Sequence, residues 1–268
     1  MEASKGRFML FGGGPAARTP GEVLLPRLVH EAGGAGARVT IITAGTELPN
    51  EVNGDYWDIL TGLGVTDLFS PKILSREDAD APWVAEGIAS SNVVFIAGGS
   101  QAKLEDRLVG TAAGAAMIDL WRRGGILSGT SSGASLFSDL MVLDGGTLNP
   151  HLRRDMIRVG RGFGILPGTV IDTHCSSRGR IPRLVSLLIA HPELLVIGMD
   201  EDSAMLIEPD GQTEVFGYHA IYVLDGSGLR PAHAHPTVGD DHLCAAGMTL
   251  HCLTPGDRFD FASRSCPR

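Results

Sequence analysis

A doubly wound α/β fold, with a mostly parallel sheet flanked by helices, is what this chain predicts, and three observations carry it. Strand-like and helix-like segments alternate through the first half of the sequence. Val93-Val94-Phe95-Ile96-Ala97 is apolar without a break, as a strand covered on both faces must be. Gly129-Thr130-Ser131-Ser132-Gly133 follows a short apolar run and precedes a helix-compatible segment, so it reads as a sharp strand-to-helix turn. From about residue 204 the pattern changes to short strands separated by turns such as Asp210-Gly211 and Asp225-Gly226. The 268 residues are therefore expected to form a single domain, with an antiparallel β extension over about 204–268.

Taken in order, residues 7–11 form a short apolar strand ending in Gly12-Gly13-Gly14-Pro15. No Gly-Lys-Ser/Thr and no Gly-x-Gly-x-x-Gly follows, so a plain turn is favoured there over a phosphate cradle. Residues 22–32 read as a helix closed by Gly33-Gly34, and 38–43 as a β-branched strand. A helix over 56–63 stops at Gly64, a strand returns over 65–69, and 81–90 is helical. The strand at 93–97 ends in Gly98-Gly99-Ser100-Gln101, with a helix beginning near Lys103. Glycines at the carboxyl end of a parallel strand lie where α/β sheets place ligands; a simple turn and one side of an oxyanion hole both fit. A helix over 112–123 leads into the Ser131 turn, and 134–140 is expected to continue as a helix. Residues 145–168 read as a loop, with Arg153, Arg154, Arg158 and Arg161 on a solvated face.

Composition removes several functions. A net charge of −9 argues against a nucleic-acid partner. No run approaches 18 apolar residues, and the first residues lead into an apolar stretch too short for a signal peptide, so a cytoplasmic protein off the membrane is expected. Cys175, Cys244, Cys252 and Cys266 show no Cys-x-x-Cys spacing and are read as reduced thiols. His233 and His235, with Asp240, Asp241 and His242, match no standard zinc spacing, so neither a metal nor another cofactor is expected.

Chemistry concentrates in three places. Ser131 lies between glycines that a strained turn needs, with helix N–H groups behind it able to stabilise an oxyanion. Gly-x-Ser-x-Gly is a loose pattern in a chain with 36 glycines, so the other segments must support it. In Val170-Ile171-Asp172-Thr173-His174, strand alternation puts Asp172 and His174 on one face, and His174 is the natural base for Ser131. Arg178, Arg180 and Arg183 follow within a few residues, and a guanidinium grips a carboxylate with two parallel bonds. A strand-end histidine beside surface arginines fits the same residues. The strand over 194–199 ends in Asp200-Glu201-Asp202, any of which is placed to orient His174.

As a set, Phe95-Ile96-Ala97-Gly98-Gly99-Ser100-Gln101, Gly129-Thr130-Ser131-Ser132-Gly133-Ala134, Asp172-Thr173-His174 with Arg178, Arg180, Arg183 and Leu184, and Asp200-Glu201-Asp202 resemble the cyanophycinase-like serine peptidases, relatives of aspartyl dipeptidase (peptidase E). The resemblance spans nearly the whole chain. It implies a fold like class I glutamine amidotransferases and a homodimer. It also implies Ser131 as nucleophile, His174 as base, Glu201 as the orienting acid, and the amides of Gly99 and Ser132 as oxyanion donors. Gln101, Asp172, Thr173, Arg178, Arg180 and Arg183 match positions that hold the aspartyl part of the substrate or shape its pocket. The implied reaction is hydrolysis of β-aspartyl or aspartyl peptide bonds, with cyanophycin and its β-Asp-Arg links as the leading substrate. Thr173 stands where the family usually has glutamine, Ser100 where it has aspartate, Ser132 where it has alanine, and Gly14-Pro15 where many relatives have an acidic residue. Those departures touch substrate identity more than catalysis. They leave open a dipeptidase or amide hydrolase acting on a specialised small molecule, or a non-catalytic relative that binds acidic peptides.

Overall fold

Burial along β1 (Arg7–Phe11) sets the layering of the molecule. Phe8 and Leu10 face one apolar cluster, Met9 and Phe11 the other, as period-two alternation requires of a strand covered on both sides. The structure is a computed structural model and describes residues 6–14, 23–145, 157–230 and 246–267. Arg153, Arg154, Cys244 and the group of His233, His235, Asp240, Asp241 and His242 lie outside the described residues.

Among the described residues the strands form two sheets. In the first, β1 lies beside β5 (Ile126–Thr130), followed outward by β4 (Val93–Ile96), β2 (Arg38–Ile42) and β3 (Asp67–Phe69), all parallel. Helices α1 (Leu24–Glu31) and α2 (Pro49–Gly62) cover one face, burying Leu24, Leu28, Tyr56 and Leu60. On the other face lie α3 (Arg76–Ala79), α4 (Pro82–Ala89), α5 (Gln101–Leu108) and α6 (Ala112–Arg122), with Val84, Leu104 and Met117 in the core. The α/β class with a parallel centre is thus as read from the sequence.

The division of the strands into a second sheet was not legible in advance. The chain leaves β5 through a single turn, α7 (Ser132–Ser135), and then becomes a strand, β6 (Ser138–Gly145), where a helix over 134–140 was expected. Its partners are β8 (Leu166–Thr173), which is parallel, and β7 (Ile157–Arg161), which is antiparallel, so the expected loop over 145–168 also carries strands. Leu136, Phe137, Met141 and Val142 suit either period, and pairing with distant strands decides between them. β9 (Leu195–Met199) adds to β8 in parallel, and α8 (Ile181–Ala190) packs Leu184, Leu187 and Leu188 on the outer face.

The C-terminal strands are shared between the sheets instead of forming one extension. β10 (Ser203–Ile207), β11 (Gln212–Gly217) and β14 (Arg258–Asp260) continue the first sheet antiparallel from β1. β12 (Ile221–Asp225) and β13 (Thr249–Leu253) continue the second from β9. The β9–β10 turn therefore steps from one sheet to the other, and it carries the three consecutive carboxylates.

Candidate active site

The parallel strands β1, β4 and β5 end together, and the candidate residues gather at those carboxyl ends. Ser131 follows β5 directly with φ 55° and ψ −124°, a conformation that side chains rarely adopt. Small neighbours permit the turn. A Cβ on Gly129 would lie 2.4 Å from the Gly133 carbonyl, and one on Gly133 would lie 2.2 Å from the Ile96 oxygen. The Ser131 N–H donates to the Phe11 carbonyl at 3.0 Å, tying the turn to β1.

His174 comes from the second sheet. β8 ends at Thr173, and His174 has φ 54°, so strand alternation stops just before it. Asp172 and His174 consequently serve different neighbours, although the sequence put them on one face. Ser131 Oγ lies 2.8 Å from His174 Nε2, and His174 Nδ1 lies 2.6 Å from Glu201 Oε1. With Nδ1–H donated to a carboxylate, Nε2 remains the acceptor for the serine hydroxyl. Ser177 Oγ donates a further 3.0 Å bond to the same Glu201 oxygen.

The other two carboxylates of the turn go elsewhere. Asp200 accepts from the Ser176 N–H at 2.7 Å and from Ser176 Oγ at 2.8 Å, bracing the turn that follows the histidine. Asp202, at φ 57°, donates its N–H to the Gly13 carbonyl at 2.8 Å, and its side chain lies beside Gly14.

Electrostatics favour a neutral base and an ionised acid. Burial holds the His174 imidazole below its usual range; the Glu201 hydrogen bond pulls it partly back up, and the nearby Arg178 charge pushes it down again. The hydrogen bond from His174 holds Glu201 below the usual carboxylate range. Cys175, next to the histidine, is fully buried, and that burial pushes its thiol well up, so it offers no competing thiolate.

Gly99 lies in the β4–α5 turn, and a Cβ on its neighbour Gly98 would sit 3.0 Å from the Ser131 Cβ. Ser132 opens α7, so its N–H has no acceptor within the helix. Ser100 spends its hydroxyl capping α5 at Lys103, and Gln101 begins that helix half-buried.

Of the three arginines expected to hold the substrate or shape its pocket, two are buried in ion pairs with Asp172. Arg183 is 3 % exposed and Asp172 1 %. The two form a bidentate pair, Nε to Oδ2 and Nη2 to Oδ1, each at 2.6 Å. Arg180 Nη1 donates to the Thr173 carbonyl at 2.7 Å and reaches Asp172 Oδ1 at 3.3 Å. Thr173 is fully buried. Asp172, Thr173, Arg180 and Arg183 thus form a packed layer beneath the site, because an unpaired buried charge is too costly to leave facing nothing. Of the six substrate-binding candidates, Gln101 and the exposed Arg178 lie nearest to solvent. Sequence reasoning missed Gly13, against which the His174 ring rests: a Cβ there would fall 2.5 Å from Cε1. The Gly12-Gly13-Gly14 run was the available signal of a close approach. The Ser176–Asp200 brace was also missed, since nothing in the spacing pairs those residues.

Among the described residues no group of three His, Cys, Asp or Glu side chains is placed to hold a metal ion, and no helix is long and apolar enough to cross a membrane. A cavity of about 310 Å³, lined by Arg7, Glu31, Asn92 and Arg123, lies at the opposite, amino-terminal edge of the parallel strands.

Comparison with known proteins gives a consistent picture. Residues 8–215 match the model of Peptidase family S51. A cyanophycinase of Trichormus variabilis is 30 % identical over 258 residues, covering 94 % of this chain and 85 % of its own length. That of Geminocystis herdmanii is 29 % identical over 249 residues, covering 92 % and 91 %. That of Synechococcus elongatus is 30 % identical over 258 residues, covering 96 % and 79 %. Among solved structures, a peptidase from an acI-B1 Actinobacterium superimposes with a TM-score of 0.67 at 21 % identity, covering 97 % of this chain and 99 % of that one. A putative peptidase E from Listeria monocytogenes gives 0.54 at 11 % identity, covering 80 % and 99 %. At such identities the structural likeness concerns the fold.

Proposed function

The chain belongs to peptidase family S51 and is a serine-type peptidase; from that premise we propose that Ser131, His174 and Glu201 carry out the hydrolysis of β-aspartyl or aspartyl peptide bonds. The observation that carries the reading is the unbroken path from Ser131 Oγ through the imidazole to the Glu201 carboxylate, with contacts of 2.8 and 2.6 Å. Ser131 Oγ attacks the scissile carbonyl carbon while its proton passes to His174 Nε2. The N–H groups of Gly99 and Ser132 hold the oxyanion. His174 then returns the proton to the departing amine, the C–N bond breaks, and an acyl-enzyme remains. Water, deprotonated by the same imidazole, releases the acid and restores Ser131. Glu201 stays ionised throughout and keeps Nδ1 protonated.

The leading substrate is cyanophycin, with its β-Asp-Arg links. Similarity to proteins described as cyanophycinases supports it, as does Arg178, an exposed cation beside His174 suited to a substrate carboxylate. Turnover of cyanophycin, a β-Asp-Arg dipeptide and an α-Asp dipeptide, measured side by side, ranks polymer against small substrates. In the same assay Ser131→Ala is expected to lose about 10⁴-fold or more in rate while keeping its fold. Near-normal turnover by the folded variant sinks the mechanism. Efficient cleavage of dipeptides but not the polymer moves the protein to the dipeptidase reading.

A further inference from the structure

We infer that Arg180, Asp172 and Arg183 are positioning residues that hold the Thr173–His174 peptide plane, and through it set the imidazole against Ser131. This rests on His174 being the base. The argument begins with the left-handed backbone of His174, at φ 54°. A non-glycine residue stays in that region only where its surroundings impose it. The peptide unit entering His174 is rigid, so fixing both its ends fixes the orientation from which φ is measured. Its carbonyl, on Thr173, accepts from Arg180 Nη1 at 2.7 Å; its N–H, on His174, donates to the Gly12 carbonyl at 3.3 Å.

Arg180 is itself held. The same Nη1 reaches Asp172 Oδ1 at 3.3 Å, and that oxygen also accepts the Thr173 N–H at 2.9 Å. Asp172, with no side-chain exposure, is fixed in turn by the two 2.6 Å bonds from Arg183. Arg183 belongs to α8 and also donates to the Gly145 carbonyl at 3.3 Å, so the cluster is anchored on a helix and on the end of β6. A buried cluster of one carboxylate and two guanidiniums is a poor source of net stability, since desolvation offsets most of the attraction. What it supplies is geometry at a peptide whose rotation would carry the ring off the serine.

Arg180→Lys tests this most directly, because it keeps the buried cation and leaves the Asp172–Arg183 pair whole. Arg183→Lys and Asp172→Asn extend the test. The primary readout is the second-order rate of labelling by a small uncharged fluorophosphonate, which needs the serine and its base but no contact with a substrate carboxylate. Each folded variant is expected to label about 10- to 100-fold more slowly, since displacements near 1 Å at reacting atoms cost on that order. In peptide hydrolysis the loss should fall on kcat, with KM nearly unchanged.

The pH profile of labelling supplies a readout that a scaffold role would not move. His174 faces Glu201, Arg178 and Arg180. A ring displaced from Glu201 loses the contact that favours its protonated form, so the inflection should shift to lower pH. Wild-type labelling rates with a raised KM for acidic peptides would make these residues substrate contacts. A lowered melting temperature with wild-type rate and inflection would make them scaffold. Either result overturns the inference. If the probe fails to modify Ser131 in the wild type, the parent reading falls instead, and this one with it. Should Arg183→Lys or Asp172→Asn unfold the chain, Arg180→Lys alone decides.

Discussion

Burial, helped by the charges of Arg178 and Arg180, holds the His174 imidazole below its ordinary range although the Glu201 contact pulls the other way. As the proposed general base it works only unprotonated, so activity should persist as pH falls and be lost only through an inflection below the ordinary histidine value of 6.5. A pH profile of kcat/KM measures that inflection directly. Glu201→Gln removes the charge that pulls the imidazole back up and offers Nδ1 an amide that can impose the wrong tautomer. The acid limb should move lower still, and the rate should drop by about 10²- to 10⁴-fold. A superimposable profile at an unchanged rate would show that Glu201 does not orient the ring. The meeting of Ser131 with His174 was legible because each follows an apolar strand in a recognisable residue pattern. The three carboxylates after β9 were equivalent on residue type alone; only the β9–β10 turn sends Asp200 to Ser176 and Glu201 to the imidazole.

The one-turn helix α7 is pressed between β5 and β4 through Gly129 and Gly133. Gly133→Ala would place a methyl 2.2 Å from the Ile96 carbonyl, a backbone atom that cannot swing aside. The expected cost is about 1–3 kcal/mol, read from the denaturation midpoint. Labelling of Ser131 should fall further than stability does, because the shift occurs two residues from the proposed nucleophile. Unchanged stability and labelling together would mean that α7 is free to move. The uninterrupted apolar runs of β4 and β9 made those strands readable. β6 was not, since its apolar residues fit a helix until β7 and β8 are known to flank it. The pairing of Arg180 and Arg183 was hidden for a related reason: the 178, 180, 183 spacing reports an excess of charge, but the partner of those two, Asp172, lies on the preceding strand.

For the molecule as a whole, one apolar cluster joins the inner faces of both sheets, from Phe8 and Leu127 in the first to Ile171, Ile197 and Val223 in the second. We propose on this ground that the chain unfolds as one domain. Phe137, fully buried and packed against the rings of Phe8 and Phe163, lies within that cluster. Phe137→Ala should cost about 3–5 kcal/mol and lower a single calorimetric transition. Two separable transitions would show instead that the sheets are independent units. The left-handed backbone at Ser131, His174 and Asp202 matters at this scale too. A residue held in such a conformation costs on the order of 1–3 kcal/mol, and glycine escapes most of that cost. Ser131→Gly should therefore melt a few degrees above the wild type in calorimetry, while cutting nothing; an unchanged or lower melting point would mean that the turn is relaxed. Bred for heat survival alone, with no demand that any bond be broken, a lineage of these chains would discard its serine early and drift toward a sturdier, chemically silent descendant.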